Sequence, residues 1–433
     1  MGPSTIISPL TAIVNQHKAG QPVGITSVCS AHPVVLAATL AHGRDADSPV
    51  LIESTCNQVN HRGGYTGHTP ADFAAFVNRL ATEAGLEPGQ LILGGDHLGP
   101  SPWQALPAEA AMAEARALVT AYVAAGYTKI HLDASMHLGD DSTGPLPVTL
   151  VAERSAELAA VTEAHRPPGA PPPLYVVGSE VPIPGGMQGQ PHELAVTDPA
   201  GAAETLGATR DAFTRRGLHD AWNRVIALVV QPGVDFGDET IIDYNRAAAA
   251  DLSRFITRQP GLLYEAHSTD YQTAVALRQL VEDHFAILKV GPGLTFAYRE
   301  AVFALEMIER EWLCGQPGIE LSGLRAALDA AMLADPTHWQ KYYSGDEDER
   351  AYKRAHSLSD RARYYWPAPP VRAAVTRLLG NLSRPLPLAL LSQYLPRQHD
   401  RVRDGSLPNS APVLLADAVA VVLQTYSAAC RTV

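Results

Sequence analysis

The chain has 433 residues, of which 33 are Lys or Arg and 45 are Asp or Glu, giving a formal net charge of −12. No run of Lys and Arg is dense enough to follow a phosphate backbone, which excludes nucleic acid as an expected partner. The four cysteines, Cys29, Cys56, Cys314 and Cys430, show no CxxC spacing. This pattern favours free thiols in a reducing compartment over disulfides or a zinc finger.

The sequence lacks the usual patterns of targeting and membrane segments. Residues 1–20 contain neither a basic n-region nor a continuous apolar h-region, and no later run reaches about eighteen apolar residues. Ile6 stands where the myristoylation pattern requires Ser or Thr. We therefore expect a soluble, cytoplasmic protein without a membrane partner.

Short, β-branched apolar runs recur along the chain, and longer stretches with helical periodicity lie between them. The runs span residues 22–30, 49–55, 91–97, 129–135, 174–180, 224–232, 262–269 and 285–293. Thr69 and Pro70 begin the helix after the second run, and residues 108–126 form another after the third. Eight strands alternating with helices predict a (β/α)8 TIM barrel, with an open doubly wound sheet as the alternative.

The pattern changes near residue 310 to amphipathic helices interrupted by proline-rich turns such as PAPP and RPLPL. This change predicts a barrel domain over residues 1–310 and a helical extension over 311–433 that packs on it. The stretch RARYYW, residues 361–366, has two interpretations. Arg361 and Arg363 either lie on a packing face, or the extension covers the barrel mouth and one arginine binds a substrate phosphate.

Polar residues follow nearly every predicted strand, at the end where barrel enzymes assemble their sites. They are Glu53, Asn57, Asp96, His97, Asp133, Glu180, Gln231, Asp235, His267, Ser268, Asp270, Lys289, Gly291 and Gly293. Two imidazoles, His97 and His267, with the Glu180 carboxylate would form a catalytic ligand set for a divalent ion such as Zn, Mn, Co or Ni. Taken singly, each is also typical of an ordinary hydrogen-bonded side chain.

In LILGGDHLGP, residues 91–100, Asp96 directly precedes His97, so a regular strand would point the two side chains to opposite faces. The flanking glycines Gly94, Gly95 and Gly99 permit a bend that directs both inward. Asp96 would then move a substrate proton beside the ion, although a helix N-cap or turn aspartate is the alternative. The residues expected to assist by orienting hydroxyl groups or ligands are Glu53, Asn57, Asp133 and Asp235. Other strand-end residues are expected to bind the substrate as well: Gln231, Ser268, Asp270, Lys289, Gly291 and Gly293.

The sequence KVGPGLTFAYREAVFAL, which begins at Lys289, follows the last predicted strand. Gly291 and Gly293 would supply backbone N–H groups for a phosphate ahead of a helix, or form an ordinary turn. The absence of a GxxxxGK[ST] motif excludes a P-loop kinase.

Long motifs extend over nearly the whole chain. They include IESTCNQVNHRGGYTGHTPADF, LILGGDHLGP, KIHLDAS, VVGSEVPIPGG, VQPGVDFGDETIIDYN, YEAHSTDYQ, LKVGPGLTFAYREAVFAL, QKYYSG, SDRARYYW and LLSQYLP. Together they resemble the Z-type subunit of tagatose-bisphosphate aldolase, whose older label is tagatose-6-phosphate kinase. The resemblance implies a barrel related to the metal-dependent class II aldolases, working in galactitol, N-acetylgalactosamine or tagatose catabolism.

The resemblance also implies two kinds of role. In the two-subunit aldolases the partner chain is taken as catalytic, and the Z-type chain supports its activity and stability. Some stand-alone members of the wider group act as ketose or ketose-phosphate 4-epimerases.

Against the class II aldolase pattern, Asp96 matches the catalytic aspartate and His97 the first metal histidine, while His267 matches the metal histidine of strand seven. Gln231 stands where those aldolases carry a further histidine after strand six, which puts a three-histidine zinc site in doubt. Glu180 as the replacement ligand is an inference from this chain and is not part of the family pattern.

Three hypotheses follow from the residues and the resemblance. The first is a metal-dependent enzyme that performs aldol cleavage or C4 epimerisation on a ketose or ketose phosphate, alone or as a homo-oligomer. The second is a non-catalytic subunit that stabilises a separate class II aldolase chain. The third, a phosphotransfer or sugar-phosphate-binding protein, lacks any nucleotide motif in the sequence.

Overall fold

A computed structural model describes residues 8–179 and 194–431. Its strands are β1 (Ile25–Val28), β2 (Val50–Thr55), β3 (Leu91–Leu98), β4 (Lys129–Leu132), β5 (Leu174–Val177), β6 (Val225–Val229), β7 (Asp235–Phe236), β8 (Ile241–Ile242), β9 (Leu263–Ala266) and β10 (Phe285–Val290). Eight of them form a closed barrel in the order β1-β10-β9-β6-β5-β4-β3-β2. Because β1 pairs in parallel with both β2 and β10, the predicted TIM barrel is confirmed and the open sheet is wrong.

Helices surround the barrel and continue beyond it. They are α1 (Pro9–Lys18), α2 (Pro33–Asp45), α3 (Pro70–Ala84), α4 (Ala108–Ala124), α5 (Val148–His165), α6 (Pro199–Arg215), α7 (His219–Trp222), α8 (Ala250–Thr257), α9 (Ala274–Glu282), α10 (Pro292–Leu313), α11 (Leu324–Ala334), α12 (Glu347–His356), α13 (Pro369–Asn381), α14 (Leu388–Tyr394), α15 (Pro396–Arg403) and α16 (Ala411–Cys430). The predicted N-cap of α3 is confirmed: the Thr69 side chain accepts a hydrogen bond from the Asp72 N–H in a capping box.

The barrel interior changes from apolar to charged toward the carboxyl ends of the strands. Side chains two residues apart point to the same face of a strand. Toward the carboxyl end of β9 and just beyond it, the residues on one face are Leu263, Glu265 and His267. On β10 the corresponding residues are Ile287 and Lys289. The same spacing on β2 leads from Leu51 to Glu53. The sequence therefore places an ionic layer directly above an apolar layer.

α1 closes the amino-terminal end of the barrel, where Leu10 and Val14 pack with the apolar interior. His17 donates through Nδ1 to the Val23 carbonyl at 2.8 Å and accepts through Nε2 from His284 Nδ1 at 2.8 Å. Burial lowers the pKa of His17 and lowers that of His284 to about 4. Both rings are therefore neutral at pH 7.

The carboxyl-terminal helix α16 packs against α2, α9 and α10. By length and composition it is the single helix in residues 8–179 and 194–431 that would suffice to cross a bilayer. The Tyr426 hydroxyl on this helix donates to the Thr269 carbonyl at 2.6 Å, close to the end of β9. α16 is thus packed against the helices that surround the barrel. The division at residue 310 stays a prediction, since α10 runs across it.

Candidate active site

A cavity of about 450 Å³ opens at the carboxyl ends of the barrel strands. A volume of this size falls within the range of small-molecule sites, about 300–1,000 Å³. The predicted site residues that line it are Asn57, Asp96, His97, Asp133, His267, Ser268, Asp270, Lys289 and Gly291. The others in the described chain, Glu53, Gln231, Asp235 and Gly293, lie outside its lining. Glu180 lies outside the described residues.

His97 and His267 face each other across the floor of the cavity. Nε2 of His97 lies 3.1 Å from Nδ1 of His267. The far nitrogen of each ring is held by a carboxylate: Asp133 Oδ2 accepts from His97 Nδ1 at 2.8 Å, and Glu265 Oε1 accepts from His267 Nε2 at 3.0 Å. Those bonds leave two lone pairs directed at one point, and facing lone pairs repel unless a proton or a cation lies between them.

The environment gives the two imidazoles different proton affinities. Burial alone would lower the pKa of His97, but the carboxylates of Asp96 and Asp133 outweigh it and raise the pKa above its ordinary value. Burial lowers the pKa of His267 to about 4. His267 therefore presents a neutral nitrogen at pH 7, the form that binds a metal ion.

The predicted bend in β3 is confirmed, and it lies at His97 itself. His97 has φ of 47°, in the left-handed region, and the pairing of β3 with β4 shifts between Gly95 and Leu98. This conformation costs a non-glycine residue roughly 1–2 kcal/mol and lets consecutive side chains point into one cavity. Gly99 is needed nearby for another reason, since a Cβ there would lie 1.7 Å from the backbone oxygen of Asp133.

Asp96 is a buried carboxylate at the edge of the same cavity. Its Oδ1 lies 2.9 Å from His131 Nδ1 and 3.0 Å from Lys289 Nζ, and its Oδ2 lies 3.9 Å from His97 Nε2. Burial alone would raise the pKa of Asp96, but the Lys289 ammonium and the imidazoles of His97 and His267 hold it well below the ordinary value. Asp96 is therefore ionised and able to accept a proton.

An ionic layer lies below the two histidines. Lys129 Nζ contacts Glu53 and Glu265, each at 2.7 Å, and all three side chains are fully buried. Lys289 Nζ lies 2.8 Å from Glu53 Oε2. Burial would lower the pKa of Lys289, but the surrounding acids, Asp96 first among them, raise it well above the ordinary value. The Lys289 side chain is therefore a charged ammonium that orients carboxylates and is not a free amine for imine formation.

The charge balance of this region fits a divalent cation. Four carboxylates, those of Glu53, Asp96, Asp133 and Glu265, are accompanied by the two ammonium groups described above. A cation bound between His97 and His267 would replace the proton that the raised pKa of His97 favours. With both of these rings neutral, the carboxylates and ammonium groups leave two negative charges for the cation to balance. Two nitrogens bound to one tetrahedral zinc at about 2.0–2.1 Å are about 3.3 Å apart, close to the separation of the facing nitrogens of His97 and His267. Carboxylates behind metal-binding histidines are the usual means of orienting the rings.

Gln231 and Asp235 lie outside the lining of the cavity. Gln231 Oε1 accepts hydrogen bonds from the backbone N–H groups of Gly233 and Val234, at 2.8 and 3.0 Å. Its side chain therefore stabilises the turn that follows β6. Asp235 lies on β7, half of the antiparallel hairpin β7–β8 that the sequence did not predict, and its Oδ1 accepts from the Phe236 N–H at 2.8 Å. Burial raises the pKa of Asp235 to about 6. Their substrate-binding roles stay predictions.

The predicted phosphate turn after β10 already holds an internal anion. Asp270 Oδ1 accepts from the Gly291 N–H at 3.0 Å and from the Gly293 N–H at 2.7 Å. Burial raises the pKa of Asp270 to about 6 despite these bonds. The carboxylate occupies the position at the amino terminus of α10 where a phosphate would bind.

Several residues in or beside the cavity were not found from the sequence. His131 lies within ligand distance of Asp96, His97 and His267, as one of four groups able to share an ion. The signal for it was present, because His131 lies two residues before Asp133 and so shares its face of β4. The segment after α10 supplies further lining residues that the sequence did not indicate: Thr337, His338, Lys341 and Tyr342. Arg361, Arg363 and Tyr364 of the stretch RARYYW also line the cavity, which agrees with the interpretation that the extension covers the barrel mouth. Phosphate binding by either arginine stays a prediction.

The family model described as D-tagatose-1,6-bisphosphate aldolase subunit GatZ/KbaZ-like matches residues 10–431. The chain belongs to the GatZ/KbaZ-like family. A crystal structure of a probable tagatose 6 phosphate kinase from Sinorhizobium meliloti 1021 is 46% identical, covering 94% of this chain and 100% of that chain, with a TM-score of 0.87. Membership confirms the resemblance drawn from the motifs and indicates an aldolase-type function for the chain.

Two more distant solved structures are aldolases. The YdjI aldolase from Escherichia coli K12 is 13% identical, covering 82% of this chain and 95% of that chain, with a TM-score of 0.42. The fructose-bisphosphate aldolase from Campylobacter jejuni is 15% identical, covering 91% and 94%, with a TM-score of 0.46. At such identities and TM-scores neither supports a statement about the chemistry of this GatZ/KbaZ-like chain.

Proposed function

We propose that this GatZ/KbaZ-like chain is a metal-dependent enzyme that breaks and forms the C3–C4 bond of a ketose or ketose phosphate. The observation that carries the proposal is the pair of facing nitrogens on His97 and His267, each ring held from behind by a carboxylate, beside the ionised Asp96. His97 and His267 would hold the ion, with Asp96 and His131 within reach. Glu180 remains a proposed further ligand.

A divalent ion at this position, such as Zn, Mn, Co or Ni, would supply a Lewis acid for the C2 carbonyl of the open-chain sugar. Asp96 would accept the proton of the C4 hydroxyl as the C3–C4 bond breaks, while the electron pair of that bond moves toward C2. Lys289 keeps the Asp96 carboxylate ionised for this step, and Asp133 fixes the orientation of His97. Glu53 would act from the ionic layer by positioning Lys289.

The same first step serves two reactions. In an aldolase, the carbanion at C3 takes up a proton, and an aldehyde and a three-carbon ketone leave separately. In a 4-epimerase, the aldehyde rotates, C3 attacks its other face, and the returning proton neutralises the new C4 oxygen. Four residues that line the cavity would orient the substrate: Asn57, Ser268, Asp270 and Gly291.

The test measures metal content and turnover on the purified full chain. Fructose, tagatose and their phosphates are incubated with added Mn, Zn, Co or Ni, and both C4 epimers and trioses are quantified. His97→Ala and His267→Ala should each remove bound metal and turnover, whereas His165→Ala, at an exposed position on α5, should remove neither. Turnover that survives in His97→Ala would refute the proposal.

A second candidate, a stabilising subunit of a two-chain aldolase, is favoured by the family description, which names a subunit. It requires no turnover by the isolated chain with every metal supplied, and a stoichiometric complex that raises the activity of a class II aldolase chain. Mixing the chain with such a partner and measuring both quantities separates the two candidates. For either role we propose a cytoplasmic location and a barrel over residues 1–310 with an extension over 311–433.

A further inference from the structure

The helical extension contributes a cationic group to the wall of the same cavity. Arg361 and Arg363 lie on the short 3-10 helix Arg361–Tyr364, and both line the cavity with Tyr364. Their guanidinium groups converge on the Tyr364 hydroxyl, with Arg363 Nη2 at 3.0 Å and Arg361 Nη1 at 3.5 Å. Lys341 lines the cavity as well. The extension therefore brings three positive charges to it.

The two arginines are held rigidly by stacked rings. The Arg361 guanidinium lies 3.4 Å from the centroid of the Tyr342 ring. The Tyr364 ring stacks on His338 at 4.5 Å, with 10° between the planes, and meets Tyr65 of the barrel at 4.7 Å. A site whose donors are fixed before a ligand arrives loses less conformational entropy on binding.

Asp360, three residues before Arg363, forms its hydrogen bonds with other residues. Asp360 Oδ1 accepts from Arg299 Nε at 3.2 Å and Oδ2 accepts from the Thr295 hydroxyl at 2.6 Å. Within residues 8–179 and 194–431, Arg363 forms no ion pair with a carboxylate, and its donors go to two backbone carbonyls and the Tyr364 hydroxyl. A mostly buried guanidinium with only neutral acceptors is stabilised by an anionic ligand.

The alternative anion site in this cavity is occupied by the protein itself. The Gly291 and Gly293 N–H groups at the amino terminus of α10 both donate to Asp270. A phosphate placed there would meet the Asp270 oxygen and lose those donors. An anionic end of the substrate is therefore expected to bind at the arginines.

We propose that Arg361, Arg363 and Tyr364 form a subsite for the terminal phosphate of a ketose phosphate. The planar guanidinium groups match phosphate oxygens in paired hydrogen bonds, and the Tyr364 hydroxyl can donate a further bond. The inference rests on the proposed function for the sugar part of the ligand and selects the phosphorylated form as the preferred substrate.

The experiment measures binding directly, by calorimetry on the full chain with fructose 6-phosphate, fructose and inorganic phosphate. The wild-type chain should bind fructose 6-phosphate more tightly than fructose. Arg361→Gln and Arg363→Gln should each reduce that preference about ten- to hundredfold, the range for losing hydrogen bonds to a charged group. Arg372→Gln, an exposed change on α13, should leave the preference intact. An unchanged preference in both glutamine variants, or no preference in the wild type, overturns the subsite.

Two further measurements keep the test decisive. If a glutamine variant lowers the melting temperature, Arg363→Lys is measured in its place. This variant keeps the positive charge but loses the paired N–H donors of the guanidinium. A several-fold smaller preference for the phosphorylated sugar supports the subsite, and an unchanged preference overturns it. Inorganic phosphate separates the two proposals. Weaker phosphate binding in the arginine variants, with no turnover of any sugar, supports the subsite and refutes the metal-dependent function. Turnover of sugars without tighter binding of the phosphorylated form supports the metal-dependent function and overturns the subsite.

Discussion

Replacing Asp133 with Asn tests whether the carboxylate behind His97 makes that ring a metal ligand. Asp133 accepts three hydrogen bonds: from His97 Nδ1 at 2.8 Å, from the Ser135 hydroxyl at 2.7 Å and from the Ser135 N–H at 3.1 Å. An amide of the same shape has one oxygen, so it cannot satisfy both sets of donors. If its NH2 faces His97, the ring must carry its proton on Nε2, which removes the lone pair directed at His267.

Loss of such a partner typically weakens metal binding or activity about 10- to 100-fold, or about 1.4–2.7 kcal/mol. The assay is a competition between the chain and a chromophoric chelator for Zn and Mn, with Asp211→Asn, an exposed change on α6, as the control. The melting temperature of the metal-free Asp133→Asn chain should stay near that of the wild type, because the amide preserves shape. Metal affinity equal to that of the wild type would refute the account of His97 given above.

Three further predictions concern stability. Lys129→Met should lower the free energy of unfolding by about 3–5 kcal/mol, because it removes one of the two ammonium groups that neutralise the buried carboxylates of Glu53 and Glu265. Adding Glu53→Gln should restore part of the loss in a denaturant titration. Gly99→Ala should lower the melting temperature and the metal content together, since its Cβ would lie 1.7 Å from a backbone oxygen; a fully stable variant contradicts this. Folding lowers the pKa values of the hydrogen-bonded rings of His17 and His284, so the unfolded chain binds protons there more readily than the folded chain. Stability present above pH about 6.5 should therefore be lost as the pH falls toward 4. His284→Asn should flatten that loss in melting temperatures measured across the window, and an unaltered slope would contradict the assignment.

The order of strands and helices was readable from the chain because it depends on local pattern. Buried parallel strands need continuous apolar runs, and the helix that begins at Pro70 carries its own cap in Thr69. The short hairpin β7–β8 was missed, because two-residue strands have no period to detect. The placement of polar residues at strand ends also followed from sequence, because a barrel gathers those ends in one place.

What the sequence determined by itself is the barrel, its family and the inward Asp-His pair, since each depends on spacing within a short segment or on a motif. Only the tertiary structure decided which groups meet. It brought His131 and Glu265 to the facing rings of His97 and His267, directed Gln231 into its own turn, and filled the predicted phosphate turn with Asp270. It also placed Arg363, about 230 residues beyond Asp133, in the same cavity. Contacts between distant segments depend on how helices and loops pack, and no local periodicity encodes that packing.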